Sequence, residues 1–284
     1  MIYLRDMECL VRITVRLAPR IAIVACALAT SPAGSQGVEI IAHRGASFDA
    51  PENTLPAVLL GWERGADAVE VDIHLTADGK VAVFHDKTTE RIAGEPGVVA
   101  ELSFAHLRTL DAGEWKDPRW KGTRIPSLDE VLETIPSGKT LVVEIKGPLA
   151  TIVPLERALN NSGMRSRVML IAFDYETIVA AKQRMGDLPC YWLYGHSSRE
   201  DQEYGVQSPS DLIGRVDRAG LDGLDVRHDG PWIGDLARML AARDKDLYVY
   251  TVNSPDRARD LRDLGVRGIT TDRPAYIRTA VSGP

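Results

Sequence analysis

From residue 38 to the end of the chain, short runs rich in β-branched residues alternate with segments of helical period, and nothing else in the 284 residues constrains the fold as much. Strands are predicted at VEIIAHRG (38–45), AVEVDIHLTADG (68–79), TLVVEIKG (140–147), RVMLIAF (167–173), CYWLYG (190–195), GLDV (223–226), LYVYTVN (247–253) and GITTD (268–272). Helical patterns follow at 54–65, 127–136, 148–163, 174–185, 208–219, 231–244, 255–265 and 273–281. Asn53 or Thr54 suits the first N-cap, and Ser127 with Glu130 three residues on reads as a capping box. VAVFHD (81–86) adds a further strand, and residues 87–124 have no clean period. Alternating strand and helix implies a parallel sheet. Eight such units in about 245 residues predict an α/β fold, a (β/α)8 TIM barrel with a small insertion (87–124) after the second strand. A doubly wound open sheet is the alternative.

Composition removes several function classes. A hydrophobic share of 44% and a charged share of 26% suit a globular chain. Lys and Arg number 34 against 40 Asp and Glu, a net charge of −6, which argues against nucleic acid as a partner. Cys9, Cys26 and Cys190 include no CxxC pair, which excludes a zinc finger, a thioredoxin motif or a disulfide scaffold.

Residues 1–37 read as a leader, separate from the 38–284 domain. Four arginines against Asp6 and Glu8 precede the apolar run IAIVACALA (21–29), and small residues follow to Gly37. That order is a secretory signal pattern, and the run is too short to span a bilayer, so the mature protein is expected to be exported, periplasmic or secreted, with no stable membrane span. IVAC (23–26) loosely resembles a lipoprotein box with Cys26 as the lipid site; a disordered extension on a cytoplasmic protein is the plainer alternative. The sequence leaves the oligomeric state open.

In a barrel the chemistry sits at the C-terminal ends of the strands, and here those ends are polar. The first strand ends in His43-Arg44-Gly45. Glu70 and Asp72 on the second, and Glu144 and Lys146 on the third, are i and i+2 pairs facing the axis, with Val69, Val71, Ile73, Val143 and Ile145 turned outward. Three converging carboxylates call for a counter-charge. An all-oxygen donor set suits a hard divalent metal ion, Ca2+ or Mg2+. Arg44 and Lys146 beside that metal make sense if an anion lies between, and a phosphate matches both. His43 and His85 flank the spot and suit proton transfer near neutral pH. The set spells phosphoester cleavage of a small-molecule substrate.

IAHRGASFDAPENTLPA (41–57), AVEVDIHLTADGKVAVFHD (68–86), RIPSLDEVL (124–132), VEIKG (143–147), YTVN (250–253) and GITTDRP (268–274) together resemble the glycerophosphodiester phosphodiesterase family. The resemblance implies a metal-dependent TIM barrel that hydrolyses glycerophosphodiesters to glycerol 3-phosphate and an alcohol. It makes Glu70, Asp72 and Glu144 metal ligands, His43 and His85 the catalytic pair, and Arg44 and Lys146 the phosphate clamp. Glu52 of ENT is expected close by, orienting His43 or the metal. Tyr250 stands where the family often has Trp, which reshapes the substrate wall.

Other residues carry milder expectations. His74 is expected in a loop hydrogen bond rather than as a fourth ligand, and His196 and His228 at the surface. Trp192 and Tyr194 could line the mouth or pack in the barrel, and Trp115 and Trp120 could form a lid or pack the insertion down. Competing functions are a lysophospholipase D-like or sphingomyelinase D-like phosphodiesterase, which would want an apolar trough, and a catalytically inactive exported binding module, which would have lost a key residue.

Overall fold

The computed structural model describes residues 37–283, so the predicted leader, apart from Gly37, lies outside the described residues. Nine strands form: β1 (Glu39–Ala42), β2 (Ala68–Leu75), β3 (Val81–Val83), β4 (Thr140–Ile145), β5 (Val168–Ala172), β6 (Cys190–Tyr194), β7 (Gly223–Arg227), β8 (Asp246–Tyr250) and β9 (Gly268–Thr271). Eight of them pair in parallel in the order β1-β9-β8-β7-β6-β5-β4-β2, and β1 closes the ring onto β2. This is the predicted barrel, not an open sheet. The strand at 81–86 is β3, a hairpin arm antiparallel to β2 with Ile73 opposite Val83.

Period-2 alternation sorts the side chains. Val69, Val71, Ile73, Val143 and Ile145 point out and pack under the helices in the main apolar layer. Trp192 and Tyr194 belong there as well, fully buried, which settles where they pack. Inside the barrel a smaller cluster holds Ile41, Val142, Met169, Ile171, Tyr191, Leu193 and Tyr248. The inner tyrosines keep their hydroxyls satisfied, Tyr191 donating to Asp246 at 3.1 Å and Tyr248 to Glu39 at 3.0 Å.

Local rules set the helix starts. Thr54 caps helix Leu55–Glu63 by accepting from Ala57 N–H, and the Ser127–Glu130 capping box opens helix Leu128–Leu132. A second capping box, Ser197 with Glu200, opens helix Ser198–Tyr204 inside a stretch that reads as loop from its polarity. The aperiodic 87–124 excursion is a packed unit. Its short turns bury Ile92, Val99, Leu107 and Leu110 against Ala82, Phe84 and Ile125 in a core of their own. Among the described residues no helix is long and apolar enough to cross a membrane.

Candidate active site

Strand alternation delivers three carboxylates to one point. Glu70, Asp72 and Glu144 are 2%, 0% and 8% exposed, and one oxygen of each lies within 4.8 Å of the others. β2 and β4 pair with Asp72 directly opposite Glu144, so register alone makes two of them neighbours. Among the described residues no hydrogen bond reaches Glu70 Oε1 or Asp72 Oδ1. Burial and the mutual repulsion of the carboxylates push Glu70 and Glu144 up. Burial opposes ionisation of Asp72 as well, but Lys146 and Arg44 outweigh it and hold that carboxyl low. Buried carboxylates that repel one another and leave oxygens of Glu70 and Asp72 unpaired fit a hard divalent cation, and its donors would be these three residues.

Two cations border the trio. Lys146 Nζ lies 2.6 Å from Glu144 and 3.5 Å from Asp72. Arg44 Nε is 3.3 Å from Asp72, and its backbone N–H donates to Glu70 Oε2 at 2.7 Å. That second bond requires a tight turn after β1. Arg44 has φ +54° and Gly45 φ +82°, and a Cβ at Gly45 would stand 2.4 Å from the Ala57 carbonyl carbon. Asn53, also left-handed, accepts from Asp72 N–H and donates to its carboxylate at 2.7 Å.

Each histidine is backed by an aspartate. His43 Nδ1 is 2.6 Å from Asp272 Oδ1, and His85 Nδ1 is 2.6 Å from Asp86 Oδ1. Burial opposes ionisation of Asp272, but His43, Asn253 and Ser47 hold it down at about 2. Asp86 is likewise held at about 2, chiefly by Arg91. Both are therefore acceptors, so both Nδ1 atoms carry protons and both Nε2 atoms are left for chemistry. Burial, with Lys146 and Arg44 nearby, moves His85 below its ordinary value. His74 Nε2 lies 3.0 Å from the His85 carbonyl, the loop hydrogen bond expected of it.

Glu52 is close by, as expected, lining a cavity with His43 and Arg44. Its hydrogen bonds go to neither His43 nor the trio but to Arg44 at 2.8 Å and to Arg91 at 2.8 and 3.1 Å, which donate to it. Arg91 in turn donates to Asp86, so Arg44, Glu52, Arg91, Asp86 and His85 form one continuous chain of charge-assisted bonds. His43, Arg44, Glu70, His85, Glu144, Lys146 and Tyr250 line one cavity of about 220 Å³. Asp72 is walled off behind them. A second, more open cavity of about 300 Å³ shares His43 and Arg44 and adds Glu52, Phe48, Trp115 and Asp272. Trp115 thus faces the site from the insertion, while Trp120 lines neither cavity. His196 and His228 are half-buried rather than surface residues, and they line neither.

The geometry therefore combines an acidic trio that could hold a metal ion, two bordering cations and two buttressed imidazoles. The model of the glycerophosphoryl diester phosphodiesterase family matches residues 43–276, a span holding every group named above. The chain belongs to that family. Among family relatives, the glycerophosphodiester phosphodiesterase of Caldanaerobacter subterraneus subsp. tengcongensis is 30% identical over 83% of this chain and 94% of its own. That of Bacillus subtilis is 26% identical over 86% of each. A solved phosphodiesterase from Oleispira antarctica, in complex with the product sn-glycerol-3-phosphate, superposes with a TM-score of 0.75. It is 26% identical, covering 88% of this chain and 98% of that one.

Within this family frame, sequence reasoning missed Asp272, Asn53, Arg91 and Asn253. Asp272 lies in GITTDRP and Asn53 in ENT, so the motifs held them without assigning them a task.

Proposed function

We propose that this protein hydrolyses glycerophosphodiesters to glycerol 3-phosphate and an alcohol by histidine acid–base catalysis. The observation that carries the reading is the pair of histidines, each fixed through Nδ1 by an ionised aspartate, on one cavity with Arg44, Lys146, Glu70 and Glu144. Arg44 offers a planar fork and Lys146 a point charge to the phosphate oxygens. One imidazole takes the proton of the attacking oxygen at Nε2, as the new P–O bond forms. The other enters as imidazolium and gives its Nε2 proton to the departing alkoxide, as the old P–O bond breaks. The attacking oxygen belongs to water or to the substrate's own 2-hydroxyl. In the second case a cyclic phosphate forms as the alcohol leaves and water then opens one ring P–O bond, so both routes end in glycerol 3-phosphate and the alcohol. A divalent cation, Ca2+ or Mg2+, held by Glu70, Asp72 and Glu144 would neutralise phosphate charge and acidify a bound hydroxyl. The Asp86–Arg91–Glu52–Arg44 chain keeps His85 and the anion clamp in fixed register.

The product-bound relative supports a small phosphorylated polyol as ligand. The signal-like leader supports export of the mature protein. The test is release of glycerol 3-phosphate from glycerophosphocholine by purified protein with Ca2+, Mg2+ or EDTA, beside His43→Ala and Glu70→Ala. Metal-dependent release abolished by both substitutions is expected. Release of choline and lysophosphatidic acid from lysophosphatidylcholine, with no turnover of glycerophosphocholine, would replace this reading with a lysophospholipase D-type activity.

A further inference from the structure

On the side of β5 to β8, the less open cavity has apolar walls from Ile171, Phe173 and Leu193. Two polar groups interrupt them. Asp225, 2% exposed, is registered between Leu193 of β6 and Tyr248 of β8, and so sits within the barrel ring. Tyr250 follows Tyr248 by two residues on the neighbouring strand, and its ring meets Phe173 edge-on at 5.7 Å. Among the described residues, neither Asp225 Oδ1 nor the Tyr250 hydroxyl has a hydrogen-bond partner, and no cation pairs with Asp225. Buried polar groups are normally satisfied, so two orphans on one cavity wall point to a ligand that completes them.

We propose that Asp225 and the Tyr250 hydroxyl form a specificity-determining pair that hydrogen-bonds a neutral vicinal diol, the glycerol end of the substrate. This rests on the reading of the cavity as a glycerophosphodiester site. His43 and Arg44 line both cavities, so a phosphate between them sends one substituent to each. The less open side, at about 220 Å³, is below the ~300–1,000 Å³ of drug-sized ligand sites and suits a three-carbon polyol. The open side, with Trp115 and Phe48, takes the variable alcohol. The choice of a neutral diol over a cationic headgroup follows from the wall. With no cation beside it, burial pushes the Asp225 carboxyl up to about 8, so near neutral pH it offers an O–H donor and a carbonyl acceptor. Those are what a hydroxyl needs.

The test is calorimetric binding of glycerol 3-phosphate and of methyl phosphate, which lacks the diol, to the full-length protein with Ca2+ or Mg2+. Wild type, Asp225→Leu, Asp225→Asn and Tyr250→Phe are compared, with melting temperatures to confirm folding. Wild type is expected to prefer glycerol 3-phosphate by at least about tenfold, because a site built to bond a hydroxyl rejects the analogue lacking it. In Asp225→Leu that preference falls toward one. Tyr250→Phe reduces it, and Asp225→Asn, a neutral hydrogen-bonding stand-in, keeps most of it. Equal wild-type affinity for the two ligands, or a full preference in Asp225→Leu, overturns the proposal while leaving the phosphodiesterase reading intact. Equal damage by Asn and Leu also overturns it, because an ionised carboxylate would then be the recognising group. Binding of neither ligand overturns both readings.

Discussion

His43 and Asp272 are 229 positions apart in sequence and 2.6 Å apart in space. The first follows β1 and the second follows β9, neighbours in the barrel, and His43 N–H also donates to the Thr271 carbonyl at 2.9 Å. The imidazole is therefore fixed at its backbone and at its ring by the last strand of the chain.

If Asp272 sets the tautomer of His43, Asp272→Asn lowers kcat for glycerophosphocholine by roughly 10²–10⁴-fold, the range general acid–base catalysis supplies. KM should change little, because the side chain of Asp272 bonds His43, Ser47 and Asn253 and neither Arg44 nor Lys146. Steady-state kinetics checks the split; a purely structural role would instead show as unfolding by circular dichroism.

The acidic trio predicts a metal-dependent melting temperature. A ligand that binds only the folded state adds about 2.7 kcal/mol at 100 times its Kd. Ca2+ or Mg2+ should raise the melting temperature, and EDTA should reverse the gain. Glu70→Gln, which removes one of three carboxylates, should weaken the response, as thermal melts against metal concentration will show.

Acid stability follows from Asp272. Its folded value of about 2 lies below its ordinary 3.8, so it contributes stability that is complete above the ordinary value. That contribution is lost as pH falls through the folded one. Wild type should lose stability between about pH 4 and pH 2, and Asp272→Asn should lose less of it over that window. Urea melts across the pH series measure the difference.

Cys190 is fully buried, and burial pushes its thiol up to about 12 from an ordinary 9. In a Cys9→Ser, Cys26→Ser background the native protein should resist thiol reagents at pH 8 and react only on unfolding. The sign is opposite to that of the aspartate: the stability contribution is present below pH 9 and is lost as pH rises toward 12.

Trp115, 39% exposed on the open cavity, is placed to pack against the alcohol. Trp115→Ala should raise KM several-fold for diesters with bulky alcohols and leave glycerophosphoglycerol nearly unaffected. Substrate-series kinetics decides it.

What the sequence made legible was local in origin. Valine and isoleucine alternation located the barrel strands, and i, i+2 spacing put Glu70 with Asp72 and Glu144 with Lys146 on the inner face. What it hid depends on closure or on polarity. Asp272 reaches His43 only once β9 meets β1. Glu52 finds Arg91 across 39 residues, which no spacing rule reports. Helix Ser198–Tyr204 carries too little apolar surface to show a period; its Ser197–Glu200 capping box was the readable signal. Asp225 looked like one more polar residue in a short strand, and its burial emerges only from the register of β6, β7 and β8.

The pairing of β1 with β9 makes enzyme activity a clock for folding. Until the final strand docks, His43 lacks its aspartate and the ring is open, however much helix has already formed. Pairing the first and last strands of the barrel is the most non-local contact it makes, and such contacts form slowly. Recovered turnover on refolding should therefore trail recovered helical signal, and the lag would time the closing of the ring.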